Sequence, residues 1–418
     1  MIGRGVDSGA LPSKDVEELL QRGLDALPFD GQRILVLIPD STRTFPGGLF
    51  FRLLTRFLLP RVRGLDFLVA LGTHPPMSEA ALLALVGITA EEKATTYKDV
   101  RIINHAWDNP DALTTLGTIP ADEIHALSGG RLRLEVPVRL NRLVLDYDHL
   151  LVCGPVFPHE VVGFSGGNKY FFPGIAGSDI IDFTHWLGAL MTSYAIIGTK
   201  DTPVRRVINR AAGIIPRPRH AVCSVVTAGG LGGVFVGGVE EAWSAAADLS
   251  AKHHMIWTDR TFHQVLSVLP PMYEELWVGA KGMYKTEPAI ADGGEVIIFA
   301  PHLREVSVVH GQIIRQIGYH VRDYFMAQWE RFKHLPWGVV AHSTHVKGSG
   351  SYQDGVEKPR IQVTLATGIS QADCQAINLG YRDPRSIDLA SFQNREAEGV
   401  LFVPRAGESL YRPKPGRA

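Results

Sequence analysis

Short apolar runs, each followed at once by a polar loop and then by an amphipathic stretch, set the pattern of the first half of the chain. Residues 33–39 (RILVLIP) and 65–71 (LDFLVAL) are runs of buried-strand length, and the loops behind them are residues 40–46 and 72–76. Residues 48–59 and 78–85 carry helical spacing, the second with Ser78 as its N-cap. This strand–loop–helix alternation predicts an α/β fold with parallel sheets and crossover helices. In such sheets ligands bind beyond the carboxyl ends of the strands, where both polar loops stand.

Further along, residues 145–154 hold a strand that runs into an unusual loop, 155–177, rich in glycine and proline. Helices are expected over 180–190, 203–212 and 240–254, and a strand over 221–226, with the glycine-rich segment 229–238 as a turn. The pattern changes near residue 255. Strands over 264–269, 295–300 and 338–342, with a helix over 321–332, describe a second α/β unit. The organisation predicted is two α/β domains, 1–255 and 256–397, with the tail 398–418 supplying a strand at 399–403 that returns to the first domain.

Composition narrows the classes. Length 418 exceeds one ordinary core. With 42 basic and 43 acidic side chains there is no global field to draw in nucleic acid, and no basic run is interleaved with aromatics. No apolar stretch is long enough for a membrane span, and the first residues do not form the apolar segment of a signal peptide. Three scattered cysteines fit a reducing compartment, so the expected location is the cytoplasm.

Three loops carry candidate chemistry. Asp40-Ser41-Thr42-Arg43 offers a guanidinium fork suited to a carboxylate, beside an acid that can orient it or accept from a ribose; a capped helix start with a local ion pair is the bland alternative. His74, in Gly72-Thr73-His74-Pro75-Pro76, has the titration range for acid/base work, or is a histidine satisfied by local backbone. The third loop contains Pro158-His159 and Gly163-Phe164-Ser165-Gly166-Gly167-Asn168-Lys169. Its glycines allow close backbone approach, successive amides suit a phosphate, and Lys169 is either a counter-charge or a nucleophilic amine. The spacing is not that of a Walker motif. His185 follows in a helix as a candidate metal ligand. From the residues alone the reading ends at a phosphate-bearing cofactor, acid/base histidines and a carboxylate substrate.

In order and spacing, Asp40-x-x-Arg43, Gly72-Thr73-His74, Pro158-His159, Gly163 through Lys169, Pro173-Gly174 and His185 resemble the nickel-dependent lactate racemase family. The resemblance implies two α/β domains with the active site in the cleft between them. It implies a nickel-pincer nucleotide, a pyridinium mononucleotide joined covalently to Lys169, with His185 as the protein's ligand to nickel. Ser165, Gly166 and Gly167 would lie near the cofactor phosphate, and Asp40 would touch the cofactor. His74 and His159 would be the two acid/base residues, and Arg43 would hold the substrate carboxylate. The implied reaction is racemisation or epimerisation of a small 2-hydroxy acid by proton-coupled hydride transfer through a 2-keto acid. Cofactor-synthesis enzymes would be partners.

In the second domain Lys281 matches the family's substrate-and-cofactor lysine, but Trp277-Val278 stand where the family has Tyr-Gln. The change adds bulk and apolar surface and points to an acid larger or more apolar than lactate. A lysine Schiff-base lyase, a dehydrogenase on the same scaffold and a cofactor-binding homologue without turnover are the rival readings. Outside these motifs, His342 and His345 are expected on opposite faces of a strand, structural or cleft-lining. His105 and Trp107 are expected to pack or cap, and His253 and His254 to be solvated.

Overall fold

The computed structural model describes residues 1–416. The chain divides into two compact units. The first comprises 1–157, 164–181 and 205–253, and the second comprises 158–163, 182–204 and 254–418.

The first unit is a seven-stranded sheet. In spatial order its strands are Ile2–Gly5, Gly230–Gly238, Arg219–Thr227, His149–Pro155, Arg33–Ile38, Gly64–Val69 and Ile102–Asn104. The last five run parallel, while Gly230–Gly238 pairs antiparallel with both of its neighbours. The predicted strands at 33–39 and 65–71 are therefore neighbours in the sheet. His149–Pro155 is buried along its whole length, as a central parallel strand must be. Helix Gly47–Leu58 buries Phe50, Phe51, Leu53, Leu54 and Leu58, and these join Val36, Phe67 and Leu151 in one core. Ser78 caps helix Glu79–Val86, its hydroxyl accepting from Ala81 N at 3.2 Å. The order of strands reverses between Arg33–Ile38 and His149–Pro155, which makes the carboxyl ends of these two strands the switch point of the sheet.

The second unit has a five-stranded sheet in the order Gly380–Tyr381, Gln362–Thr367, Ile290–Ala300, Phe262–Val268 and Val400–Val403, all parallel. No helix among the described residues is long and apolar enough to cross a membrane.

Several expectations are corrected. The tail strand does not return to the first sheet: Val400–Val403 pairs with Phe262–Val268, with Gln264 opposite Val400. Residues 338–342 are not a strand but part of helix Trp337–Lys347, a short apolar run of the kind whose periodicity cannot separate buried helix from buried strand. His342 and His345 are thus three residues apart on a helix, neighbours rather than opposites. Residues 230–238 form a strand, because glycine admits the close neighbours met there: a Cβ on Gly233 would lie 2.3 Å from Leu249 Cδ2. The helix expected over 321–332 is two short ones, Arg322–Ala327 and Trp329–Phe332. His254 is buried, and His253 Nε2 lies 2.7 Å from Val6 O, so neither is simply solvated. His105 packs as expected, its ring nitrogens on Ala176 O at 2.9 Å and Asn141 Nδ2 at 3.1 Å.

His159 and His185 fall in the second unit, not in the domain to which their sequence position assigns them. The reason is local packing. Asp182 accepts from Gly338 N at 2.9 Å, Trp186 stacks on Trp329 with centroids 4.7 Å apart, and Arg322 donates to Leu190 O at 3.0 Å.

Candidate active site

Within the first unit, Asp40, Arg43 and His74 gather at the switch point. Asp40 is buried and accepts three hydrogen bonds: Oδ1 takes Thr42 N at 3.1 Å and Thr42 Oγ1 at 2.6 Å, and Oδ2 takes His74 Nδ1. Burial pushes the Asp40 carboxyl up, but His74, Arg43 and Thr42 together outweigh it and hold it well below the usual carboxylate range. An ionised carboxylate only accepts, so His74 carries a proton on Nδ1, and in the neutral ring the lone pair is on Nε2. This is the arrangement of an oriented general base. Arg43 is placed by Thr42, donating to its hydroxyl at 2.5 Å and its carbonyl at 3.3 Å, and its guanidinium lies 5.9 Å from the Phe157 ring centre.

The glycine-rich loop leaves strand His149–Pro155 beside them. Gly154 is required there, since a Cβ would fall 1.7 Å from the Tyr170 hydroxyl. Gly166 and Gly167 have φ of 78° and 59°, and side chains on them would strike Val156 and Trp243. Ser165 is spent on the loop itself: its hydroxyl accepts from Phe157 N at 3.0 Å and donates to Pro155 O at 3.2 Å. Its carbonyl takes Trp243 Nε1 at 2.8 Å. Buried Arg205 clamps the same turn, donating to the carbonyls of Gly166, at 3.2 Å, and Phe164, with its guanidinium 4.2 Å from the Trp243 ring centre. Burial pulls the Arg205 guanidinium down to about 9. From Val161 to Gly177 every residue is buried except Lys169, which is half-buried. Beside it the Oδ1 of Asn168 is buried without a hydrogen-bond partner, while its amide nitrogen is held by Asn209 and Glu240.

The second unit carries its own cluster. His159 is buried, and its Nδ1 accepts from Val161 N at 3.1 Å, with Glu160 Oε2 3.4 Å from the same nitrogen. A backbone N–H can only donate, so neutral His159 holds its proton on Nε2, the reverse of His74. Val161 packs against Gly188, where a Cβ would lie 3.0 Å from Val161 Cγ1. Gly188 stands three residues from His185 on one helix face, so the His159 segment lies over the face that bears His185. Gly163 has φ of 83°, and a Cβ there would sit 1.8 Å from Thr199 O.

Trp277 and Lys281 are one turn apart. The Lys281 ammonium lies 4.5 Å from the Tyr273 ring centre. Trp277 stacks on His342 at 4.0 Å and 14°, with His310 at 4.5 Å, so much of its apolar face is covered within this unit. Its carbonyl accepts from His342 Nε2 at 3.0 Å, and burial pulls His342 down to about 3. Lys285, Glu160 and Arg205 were not singled out in the sequence. Lys285 is fully buried and its ammonium donates to Pro158 O, next to His159, and to Glu408 O at 3.2 Å. Its one legible signal is a position one turn beyond Lys281. Among the described residues no three His, Cys, Asp or Glu side chains come together as a metal site.

A family model described as the lactate racemase N-terminal domain matches residues 13–198. The lactate racemase of Thermoanaerobacterium thermosaccharolyticum is 25% identical over 293 residues, 64% of this chain and 60% of the relative. That of Lactiplantibacillus plantarum is 26% identical over 168 residues, 39% of this chain and 34% of the relative. The chain is thus matched to less than two thirds of either curated relative's length. Among solved structures, a Thermotoga maritima protein has a TM-score of 0.89 and 32% identity, covering 98% of this chain and 100% of that one. The lactate racemase apoprotein of T. thermosaccharolyticum has a TM-score of 0.73 at 18% identity, covering 97% and 94%, a likeness of fold. Residues 13–198 thus match the lactate racemase N-terminal domain, and the whole chain shares the fold of the lactate racemase apoprotein.

Proposed function

We propose that the protein is a racemase or epimerase of a small 2-hydroxy acid, in the cytoplasm, using a nickel-pincer nucleotide borne on Lys169. The observation that carries this reading is the trio at the switch point: a histidine oriented through Nδ1 by a carboxylate, beside an arginine held by Thr42. The cofactor is supported by the loop. Lys169 is its least buried side chain, and the orphaned Asn168 Oδ1 next to it is an acceptor in need of a donor such as a ribose hydroxyl or an amide. His185 would be the protein's ligand to the metal, an imidazole beside donors that the nucleotide would bring. When bound, that group would supply hydride-acceptor chemistry.

The chain's own residues do the rest. Arg43 holds the carboxylate while the centre inverts. His74 Nε2 takes the hydroxyl proton as the alcohol becomes a ketone. His159 is the second acid/base residue, with Glu160 Oε2 3.4 Å from its Nδ1. Lys281 would meet substrate and cofactor. Ser165 shapes the turn, leaving the phosphate to backbone groups of Gly166 and Gly167. Asp40 acts on His74, whatever contact it also makes with the cofactor. The Trp277-Val278 exchange favours an acid larger than lactate, although the stacking of Trp277 on His342 leaves less apolar face for it than the sequence implies.

Protein made alongside the cofactor-synthesis enzymes tests this. Intact mass should show Lys169 modified, metal analysis should show nickel, and chiral chromatography on a panel of 2-hydroxy acids should show interconversion. A bare Lys169 without nickel in that preparation refutes the reading.

A further inference from the structure

Tyr170, in the first unit, closes the short turn Gly167–Tyr170 of the glycine-rich loop, and its side chain is buried. The ring reaches the carboxyl end of strand His149–Pro155. Its hydroxyl and Cζ stand 1.7 and 2.5 Å from the place a Cβ on Gly154 would take, and Pro39 Cδ is 3.3 Å from the same point. The hydroxyl is therefore set beside the residue that leads into Asp40. Backbone bonds hold the turn in this position. Gly174 N donates to Lys169 O at 3.1 Å, and Gly174 O takes Gly72 N at 2.9 Å, which ties the turn to the loop that bears His74.

The hydroxyl has no structural task. Among the described residues none exchanges a hydrogen bond with it, and the nearby Asp40 oxygens are engaged by Thr42 and His74. A hydroxyl held in a buried side chain without a partner works against the fold, and phenylalanine would fill the same space without that cost. The tyrosine therefore calls for a partner that the chain does not itself supply.

The surroundings suit a donor to an anion. Burial pushes the phenol well above its ordinary range, so at neutral pH it keeps its proton and can donate. For the same reason it is not a base, and removal of the hydroxyl proton stays with His74. Arg43 and Asp40 both act on the phenol through space, Arg43 the more strongly. A cation brought to this corner would be repelled by Arg43, and a neutral group would gain little from it. A carboxylate has lone pairs enough for a guanidinium and a phenol together.

We infer, resting on the racemase reading, that the Tyr170 hydroxyl is a second contact for the substrate carboxylate, donating to it beside Arg43. The test uses the full-length chain without cofactor, isotope-labelled at tyrosine Cζ for NMR, with Tyr170→Phe to assign the resonance. Lactate should move that resonance, and propylene glycol, the same skeleton without the carboxylate, should not. Tyr170→Phe should weaken lactate at least ~10-fold, the worth of one hydrogen bond to a charged group. Its thermal midpoint without ligand should stay level or rise, because the fold loses a hydroxyl that it leaves unbonded. In cofactor-loaded enzyme the same variant should raise KM by a like factor and leave kcat within about two-fold, as for a contact kept in both ground and transition states. A resonance that lactate leaves in place, an equal response to propylene glycol, or lactate binding unchanged in Tyr170→Phe overturns the inference. So does a lowered midpoint, which would make the hydroxyl structural. Interconversion by loaded Tyr170→Phe enzyme with KM unchanged sinks the contact and keeps the racemase. Loss of lactate binding in Tyr170→Phe, with no interconversion of any acid by the loaded native chain, keeps the contact and sinks the racemase.

Discussion

Asp40→Asn isolates the orientation of His74. The substitution keeps shape and removes one acceptor. In the native site one carboxylate oxygen takes two donors, from Thr42 N and Thr42 Oγ1, and the other takes His74 Nδ1. Asparagine has a single oxygen, and two donors compete for it on the Thr42 side. The backbone N–H of Thr42 cannot reverse its role, so the amide oxygen should stay there and the NH₂ group should face His74. Nδ1 must then accept, and the imidazole proton moves to Nε2. Turning the amide round to restore the native tautomer sets the Thr42 N–H against an NH₂ group, at a cost of about 1–3 kcal/mol, or a roughly 5- to 150-fold penalty in its population. Turnover should fall by at least that factor; a histidine base locked in the wrong tautomer loses on the order of 10⁴ in the best-studied triad. Nitrogen NMR of histidine-labelled protein, with His74→Gln to assign the resonance, reads the tautomer without cofactor, and chiral chromatography reads turnover in loaded enzyme. An unchanged tautomer together with an unchanged rate would refute the reasoning.

Three further outcomes follow from the geometry. Gly163→Ala places a methyl carbon 1.8 Å from Thr199 O at φ of 83°, so beyond the roughly 1–2 kcal/mol of the left-handed backbone the turn must open, and the thermal midpoint should drop or soluble yield collapse. Lys285→Met takes the donor from Pro158 O and Glu408 O, and should cost about 1–3 kcal/mol in denaturant unfolding, with turnover falling because the His159 segment loses its anchor. In acid, His105 sets the sign for the first unit: burial lowers it to about 4, so between about pH 6.5 and 4 the unfolded chain binds a proton that the fold does not, and stability decreases as pH falls by up to about 1.4 kcal/mol per pH unit. His105→Gln should flatten that part of the stability–pH curve measured in urea; an unchanged slope would mean another group governs it.

What the sequence disclosed, and what it hid, follows from how far each signal reaches. Continuous apolar runs at 33–39 and 65–71 reported buried parallel strands because burial on both faces leaves no alternation to misread. The loops behind them reported a site because parallel strands present their carboxyl ends together. The apolar run at 338–342 misled for the same reason that the others were clear: a buried helix as short as Trp337–Lys347, whose residues 338–346 are all buried, has no polar stripe to reveal its period. The tail strand misled because strand partners depend on register across the whole chain, and a five-residue apolar segment fits either sheet equally well.

The roles of the site residues divide along the same line. Residue types at fixed spacing named His74, His159 and Lys169, but the state in which each histidine is held depends on groups that spacing does not reveal. For His74 the determinant is a side chain thirty-four positions away, Asp40, whose ionised oxygen demands an N–H. For His159 it is a backbone N–H two residues on, at Val161, which demands a lone pair. Opposite demands on the same ring atom put the two neutral rings in opposite tautomers, one with its proton on Nδ1 and one with it on Nε2. The difference in tautomer is therefore set by the fold rather than by the motif, and Asp40→Asn, by moving the His74 proton to Nε2, is the change that abolishes it.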